Sequence, residues 1–466
     1  MFKYFNYYFL NIIKMSNGSI LDLVAKNKLD EDLINIKNDE SLFNYEIKKK
    51  NKYAKGDTIF YPEGKANWGS TFRINIERKG DLLYGLYLVV KLPELSTANL
   101  DVRPKPDVLD PIQNPYRIRW AEYLGNVMID KVTLYVNGMI IDEIYGDYMQ
   151  IYVDMYISDW NRKSMLGFCD SLNYPNVKIE SEYIYIPLRF WFCNDIEKPL
   201  PVIALQHSQI YIDIKFRNFN ECISVLKKEG NHLYHSDITY PMPNLEDVSL
   251  QANFYFLDLE ERRVAAMKDY EIIMTQCQFR SIPIQIGANL DITFNNTVKD
   301  LIFYIQSSEH IKYGEYFNFT GKLKIPPPAL IPLSDKEYSL WQLNAPKHVL
   351  TRARLLFNGV ERIEWRDSKY FYNMQNHENY KTTLHSFVYL YSFNAFPTKD
   401  NNYCGCNFSR IENPQLQVEM KEQIFQLSAN PDKNYDPESS YVLKCHATSY
   451  NFFIIKNGIG AVKYNN

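Results

Sequence analysis

Few residue sets in this chain have the types that chemistry needs. Cys404-Gly405-Cys406 and Cys445-His446 together offer three thiols and an imidazole, the donors of a zinc site. Their C-x-C gap is shorter than the usual spacing of zinc knuckles, so no metal centre is expected there. His232 and His235 stand three residues apart, which suits a shared ligand only on a helix. Gly230 and Asn231 just before them favour a loop, and both histidines read as surface residues. His207, beside the run Ile210–Phe216, reads as a satisfied core-edge residue rather than a base. Asp258 and Glu261 have the spacing of a capping box, so the cluster DLEERR reads as a helix start with local ion pairs, not a catalytic carboxylate. No G-x-S-x-G elbow, P-loop, dinucleotide glycine motif or H-E-x-x-H is present. Glycosylation sequons at Asn17, Asn295, Asn318 and Asn407 matter only in a secretory compartment. The seven scattered cysteines suggest a reducing one instead. The expectation is a protein without catalytic residues, cofactor or metal.

What the chain does carry is duplication. VTLYVNGMIIDE at 132–143 and RLLFNGVERIEW at 354–365 each break a strand-forming run with Asn-Gly, at 137–138 and 358–359, a separation of 221 residues. Asn-Gly between apolar runs signals a two-residue hairpin, whose central residues both take positive φ. Two further echoes have nearly the same offset. Asp81-Leu82 opens DLLYGLYLVV, and Asp300-Leu301 opens DLIFYIQ. Ile210, Ile212 and Ile214 are answered by Leu416, Val418 and Met420. A period of this length is too long for a solenoid and fits two tandem domains of one type. At 466 residues the chain also exceeds what a single core normally fills.

The composition fits β-sandwiches. Tyr (37) and Phe (27) are abundant, and aromatics favour strands and wide sandwich cores. Phe72, Ile74 and Ile76 alternate with polar residues, as do Leu86, Leu88 and Val90 with their neighbours, so each strand is expected to bury one face. YIYIPLRFWF at 183–192 is a long apolar run, and IPPPALIP at 325–332 a rigid extended loop. The formal charge of −3, from 52 basic and 55 acidic residues, argues against coating nucleic acid. No stretch of about 18 apolar residues is present to span a membrane.

The resulting division is an N-terminal arm at 1–55, a first β-sandwich at 56–217, a connecting segment at 218–248 and a second β-sandwich at 249–466. Within the arm, Ile20, Leu21, Val24 and Leu33 suggest a short amphipathic helix, and KKKNK at 48–52 is a basic run. Asn6 and Asn11 interrupt the apolar start, so translation is expected to begin at Met15, with residues 1–14 an upstream extension. The fold class is all-β: two tandem β-sandwiches with a few short helices and long loops.

Seven segments in order resemble the double jelly-roll major capsid proteins of nucleocytoplasmic large DNA viruses. They are SILDLVAKNKLDEDL (19–33), FRINIERKGDLLYGLYLVVKLPEL (72–95), IDKVTLYVNGMIIDEIYGDYMQIY (129–152), IPLRFWFCNDIEKPLPVIALQHSQIYIDIKF (186–216), FYFLDLEERRVAAMKDYEIIMTQCQ (254–278), CNFSRIENPQLQVEM (406–420) and YNFFIIKNGIGAVKYN (450–465). The resemblance implies two tandem eight-stranded jelly rolls, the first at 56–217 and the second at 249–466, in a structural subunit of an icosahedral capsid assembled in the host cytoplasm. It implies a homotrimer with a pseudo-hexagonal outline, tiling against neighbouring capsomers, penton and minor capsid proteins. The arm would meet the inner membrane or the minor capsid layer, and no direct genome binding is expected. The alternatives are a minor capsid, scaffold or virophage-type protein of the same fold, and a carbohydrate-binding jelly roll, which would need converging acids and aromatics.

Overall fold

The structure is a computed structural model that describes residues 53–102, 114–157, 173–284, 287–343, 348–380, 387–398, 404–421 and 440–464. The predicted arm helix, the KKKNK run and Met15 lie outside the described residues.

Two rolls of identical wiring follow one another. In the first, one sheet has the order β1 (Tyr53–Phe60), β13 (Asp247–Leu257), β3 (Leu82–Lys91), β9 (Tyr183–Pro187). The facing sheet has the order β2 (Thr71–Ile76), β10 (Ile210–Phe216), β6 (Ile129–Val136), β7 (Met139–Tyr145). In the second roll β14 (Tyr270–Ile284), β22 (Tyr441–Lys456), β16 (Thr297–Ser307) and β19 (Tyr389–Ser392) repeat the first order. Likewise β15 (Gly287–Asp291), β21 (Gln415–Met420), β17 (Leu350–Phe357) and β18 (Val360–Asp367) repeat the second. Numbered within its own roll, each sheet pair reads 1-8-3-6 and 2-7-4-5, the wiring of a jelly roll. All three sequence echoes fall on matching places: β3 with β16, β10 with β21, and the turns β6–β7 with β17–β18. Both Asn-Gly pairs take the left-handed conformation, with φ of 56° and 81° at 137–138 and 53° and 77° at 358–359. Asn457-Gly458 makes the same turn between β22 and β23 (Ile459–Val462).

Smaller strands decorate the rolls. β4 (Leu95–Ser96) pairs β8 (Lys178–Ile179), and β20 (Cys406–Asn407) pairs β16. β12 (His232–His235), β11 (Ile223–Glu229) and β5 (Tyr116–Trp120) form a three-stranded sheet.

Several sequence boundaries move. The arm was set at 1–55, but β1 already runs from Tyr53, its full length paired to β13. The segment 218–248 is not a mere connection: β11 and β12 form a hairpin there around Gly230, whose φ is 60°. Its polar composition hid the alternation. β13, placed at the start of the second roll, instead sits between β1 and β3 of the first. First-roll pairing therefore continues to Leu257, and the helix Leu259–Met267 leads into the second roll. Asp258 caps that helix, its Oδ1 accepting from the Leu259 N–H at 2.8 Å. The run 183–192 is not one strand either; β9 stops at Pro187 and a short helix follows at Trp191–Asn194. Within the proline-rich loop, Pro328–Leu330 coils into a 3-10 turn.

The expectation of one buried face per strand fails for one sheet of the second roll, β14-β22-β16-β19, while β21 of the other sheet keeps it. Leu301, Phe303 and Ile305 of β16 enter the second roll's own core, while Ile302 and Tyr304 join the cluster that fills the first. On β19, Tyr389 and Tyr391 face inward and Leu390 faces the first roll. This sheet is thus apolar on both sides, as the unbroken run LIFYI indicates once the second roll is seen to lie against the first. The covering elements are β7 and the helix Gly146–Tyr156. Gly146 lets that helix approach: a Cβ there would lie 2.1 Å from the Ile129 carbonyl oxygen. A third, small cluster joins Tyr234 of β12 to Leu323, Leu330, Leu333 and Trp341.

Candidate functional site

The junction between the rolls holds the densest set of buried ionisable groups. Asp147 opens the helix that follows β7, Arg217 follows β10, and Lys444 comes from β22 in the second roll. Asp147 Oδ1 accepts from Arg217 Nη2 at 2.7 Å, and its Oδ2 accepts from Lys444 Nζ and Tyr304 Oη, each at 2.8 Å. Burial alone would raise the Asp147 carboxyl, but Lys444 and Arg217 overcome it and hold it well below the usual carboxylate range. Arg217 also donates to the Val127 carbonyl at 2.7 Å and lies over the Tyr316 ring. One carboxylate thus anchors cations from both rolls, and removing it would strand two buried positive charges.

Two neighbouring contacts extend the junction. Asp142 of β7 accepts from the Cys277 N–H of β14 at 3.2 Å, and Gln276 Nε2 donates to the Ile141 carbonyl at 2.6 Å. Farther along, Glu315 accepts from His235 Nε2 at 3.1 Å and from the Lys324 N–H at 2.8 Å. Burial opposes ionisation of Glu315, yet His235 and Arg119 keep its carboxyl low. Asp81 and Asp300, the echoed pair, are both buried. Asp81 takes Arg262 of the linking helix at 3.0 Å, while Asp300 accepts from Tyr380 Oη at 2.6 Å. Every one of these carboxylates ties one segment to another, and none opens on a cleft with a matched acid and base.

The residues singled out from sequence are dispersed. Cys445 and His446 are adjacent in β22 and so point to opposite faces. Cys445 lies in the second-roll core, whereas His446 faces Tyr304 Oη at 3.1 Å and Cys277 Sγ at 3.7 Å. Burial holds the His446 imidazole down at about 3, so it stays neutral. Cys404 is exposed and Cys406 half-buried. Among the described residues no group of three or more His, Cys, Asp or Glu is arranged to hold a metal. His235, read as a surface residue, is fully buried against Tyr313 and Glu315. His232 is half-buried, stacked on Tyr338 with Nε2 2.7 Å from Asp335. His207, read as core-edge, is exposed, and only its backbone is tied, to the Gly458 carbonyl. Asn318 of the third sequon is buried and donates to Glu315, whereas Asn407 is exposed. Asp147, Arg217 and Lys444 were not singled out, because no local pattern links residues so far apart. Among the described residues, no helix is long and apolar enough to cross a membrane.

The remaining feature is a sheet face that nothing among the described residues covers. The outer side of β1-β13-β3-β9 corresponds to the side that the second roll buries. It presents Tyr53, Tyr84, Tyr87, Tyr183 and Tyr185, while Tyr84 helps to bury Tyr255, on which it stacks at 4.1 Å. Tyr53, Tyr183 and Tyr185 are 49%, 47% and 43% exposed. Several exposed tyrosines on one sheet face mark a contact site.

Comparison with known proteins agrees with this architecture. The family described as "Major capsid protein N-terminus" matches residues 41–258, and "Large eukaryotic DNA virus major capsid protein" matches 261–461. The major capsid protein of Phaeocystis pouchetii virus is 24% identical, with 86% of this chain and 91% of that one aligned. That of Paramecium bursaria Chlorella virus 1 is 22% identical over 86% and 89%. A chain of the PBCV-1 virus capsid superimposes with a TM-score of 0.71 at 20% identity, covering 91% of this chain and all of that one. The Faustovirus major capsid protein gives 0.64 at 11% identity over 92% and 94%. With the two family matches placed end to end over both rolls, the chain belongs to the major capsid proteins of large eukaryotic DNA viruses.

Proposed function

We propose that this capsid protein works as the repeating wall unit of an icosahedral shell, and that three copies close into a capsomer of pseudo-hexagonal outline. The supporting observation is the mismatch between the rolls. The second roll's 1-8-3-6 sheet is covered by β7 and the helix Gly146–Tyr156 of the first, while the matching face of the first roll is an open tyrosine surface. The matching strand of the second roll, β18, is largely exposed and is available to cover that surface in a neighbouring copy. The contact made once inside the chain is then repeated between chains. Six wall units close from three chains, each interface related to the next by the duplication.

In this reading the chain has no catalytic role and binds no cofactor. Its partners are its own copies, neighbouring capsomers, penton and minor capsid proteins, and it assembles in the host cytoplasm without touching the genome. Light scattering tests the assembly: the 55.1 kDa chain runs at about three times that mass. Tyr87→Glu combined with Tyr185→Glu gives a folded monomer. A chain that is monomeric at high concentration, or a double variant that still forms trimers, overturns the reading.

A further inference from the structure

The helix Leu259–Met267 that joins the rolls buries only Ala265. Leu259, Val264 and Met267 are 55%, 67% and 88% exposed. Beside it runs an open groove of about 750 Å³, its apolar wall made by Pro199, Pro201, Leu257, Val264, Tyr270 and Ile272. Its rim carries Glu197, Glu260, Glu261 and Glu271, with Lys198 and Lys268. Nothing among the described residues fills it.

The position of β1 names the occupant. Tyr53 is paired directly to Leu257, a residue of the groove wall, so the N-terminal segment joins the roll at the groove's edge. The basic run 48–52 immediately precedes Tyr53 in sequence, and the helix that follows Leu257 carries Glu260 and Glu261 in its first turn. Farther back, residues 19–33 supply Ile20, Leu21, Val24 and Leu33. The 19 residues from 34 to 52 reach up to about 60 Å when extended, far more than the groove requires. Tethering raises the effective concentration to the mM range, so a modest apolar contact suffices.

We infer that residues 19–33 of the same chain dock in the groove beside the linking helix, with the lysines of 48–52 set against its acidic first turn. The docked segment covers the exposed apolar face of Val264 and Met267. It thereby fastens the N-terminal segment across the joint between the rolls.

Hydrogen exchange read by mass spectrometry on the full-length protein tests this. Amides of 19–33 exchange about tenfold or more slower than those of the free peptide. Val264→Glu combined with Met267→Glu, both at exposed positions, returns them to free-peptide rates while the particle mass stays unchanged. Free-peptide rates in the unsubstituted protein overturn the inference. So does protection that survives the double substitution, which puts the segment elsewhere. Protection that vanishes on dilution to monomer assigns the groove to a neighbouring copy's segment and overturns docking within the chain.

Discussion

The two 1-8-3-6 sheets share strand order yet differ in what they touch. In β3 of the first roll, buried and half-exposed residues largely alternate; in its counterpart β16, everything from Asp300 to Ser307 is buried. The cause is position, since the first roll lies against the second roll's sheet and nothing among the described residues lies against the first roll's. Side-chain chemistry follows. The open face keeps tyrosines that tolerate water, whereas the covered face carries Ile302 and Leu390 together with polar groups that find partners, such as Tyr304 on Asp147. Duplication fixes the wiring, and each copy's surroundings then set its surface.

This contrast can be broken by substitution. Asp147→Ala has the largest expected effect, about 3–5 kcal/mol lost in denaturant unfolding, because it leaves Arg217 and Lys444 buried without their counter-charge. The exposed second-roll pair Arg352–Glu419 is the control, and Glu419→Ala leaves the midpoint unmoved. Ile302→Ala opens a hole on the covered face and costs about 2–5 kcal/mol. Val89→Ala on the half-exposed face of β3 costs about 0.5 kcal/mol in the isolated chain. Equal losses at the two positions would remove the distinction between the faces.

Acid titration sharpens the comparison. The folded-state value of Asp147 is depressed, so its contribution is present above the unfolded carboxylate value of about 3.9 and is lost as pH falls below it. Asp142 and Asp81 are raised and shift stability the opposite way, so the comparison is with Asp147→Asn rather than with neutral pH. The stability gap between the unsubstituted protein and Asp147→Asn narrows below about pH 4; a constant gap would show that Asp147 is not held ionised. The echoed turns give smaller effects than the buried junction. Gly138→Ala and Gly359→Ala meet no atom within 4 Å and cost about 1–2 kcal/mol for the left-handed backbone alone. Gly458→Ala costs more, because its Cβ would also lie 2.9 Å from His207.

The sequence was readable where structure is local or repeated. Asn-Gly turns, the alternation of Ile210–Phe216 and the cap at Asp258 each depend on a few neighbouring residues, and each stands where the pattern puts it. Segments shaped by distant partners were not readable. β1 has a Lys-Gly-Asp interior, and becomes a strand through its ladder with β13. His235 gives no local sign of burial, since Tyr313 and Glu315 arrive from the other half of the chain. The Asp147 cluster joins residues 70 and 297 positions apart. Its members are ordinary charged residues in sequence and acquire their role only when the rolls meet.

The place of the eighth strand bears on how the protein is made. β1 and β3 never pair with each other; both pair with β13. On the ribosome the edges that face β13 therefore stay vacant until residues 247–257 emerge, long after β3 itself. Closure of the second roll waits in the same way for β22. Each half snaps shut late and from the middle of its sheet, so a nascent chain stalled short of either strand is a sticky one, open to capture by folding helpers or by other unfinished chains.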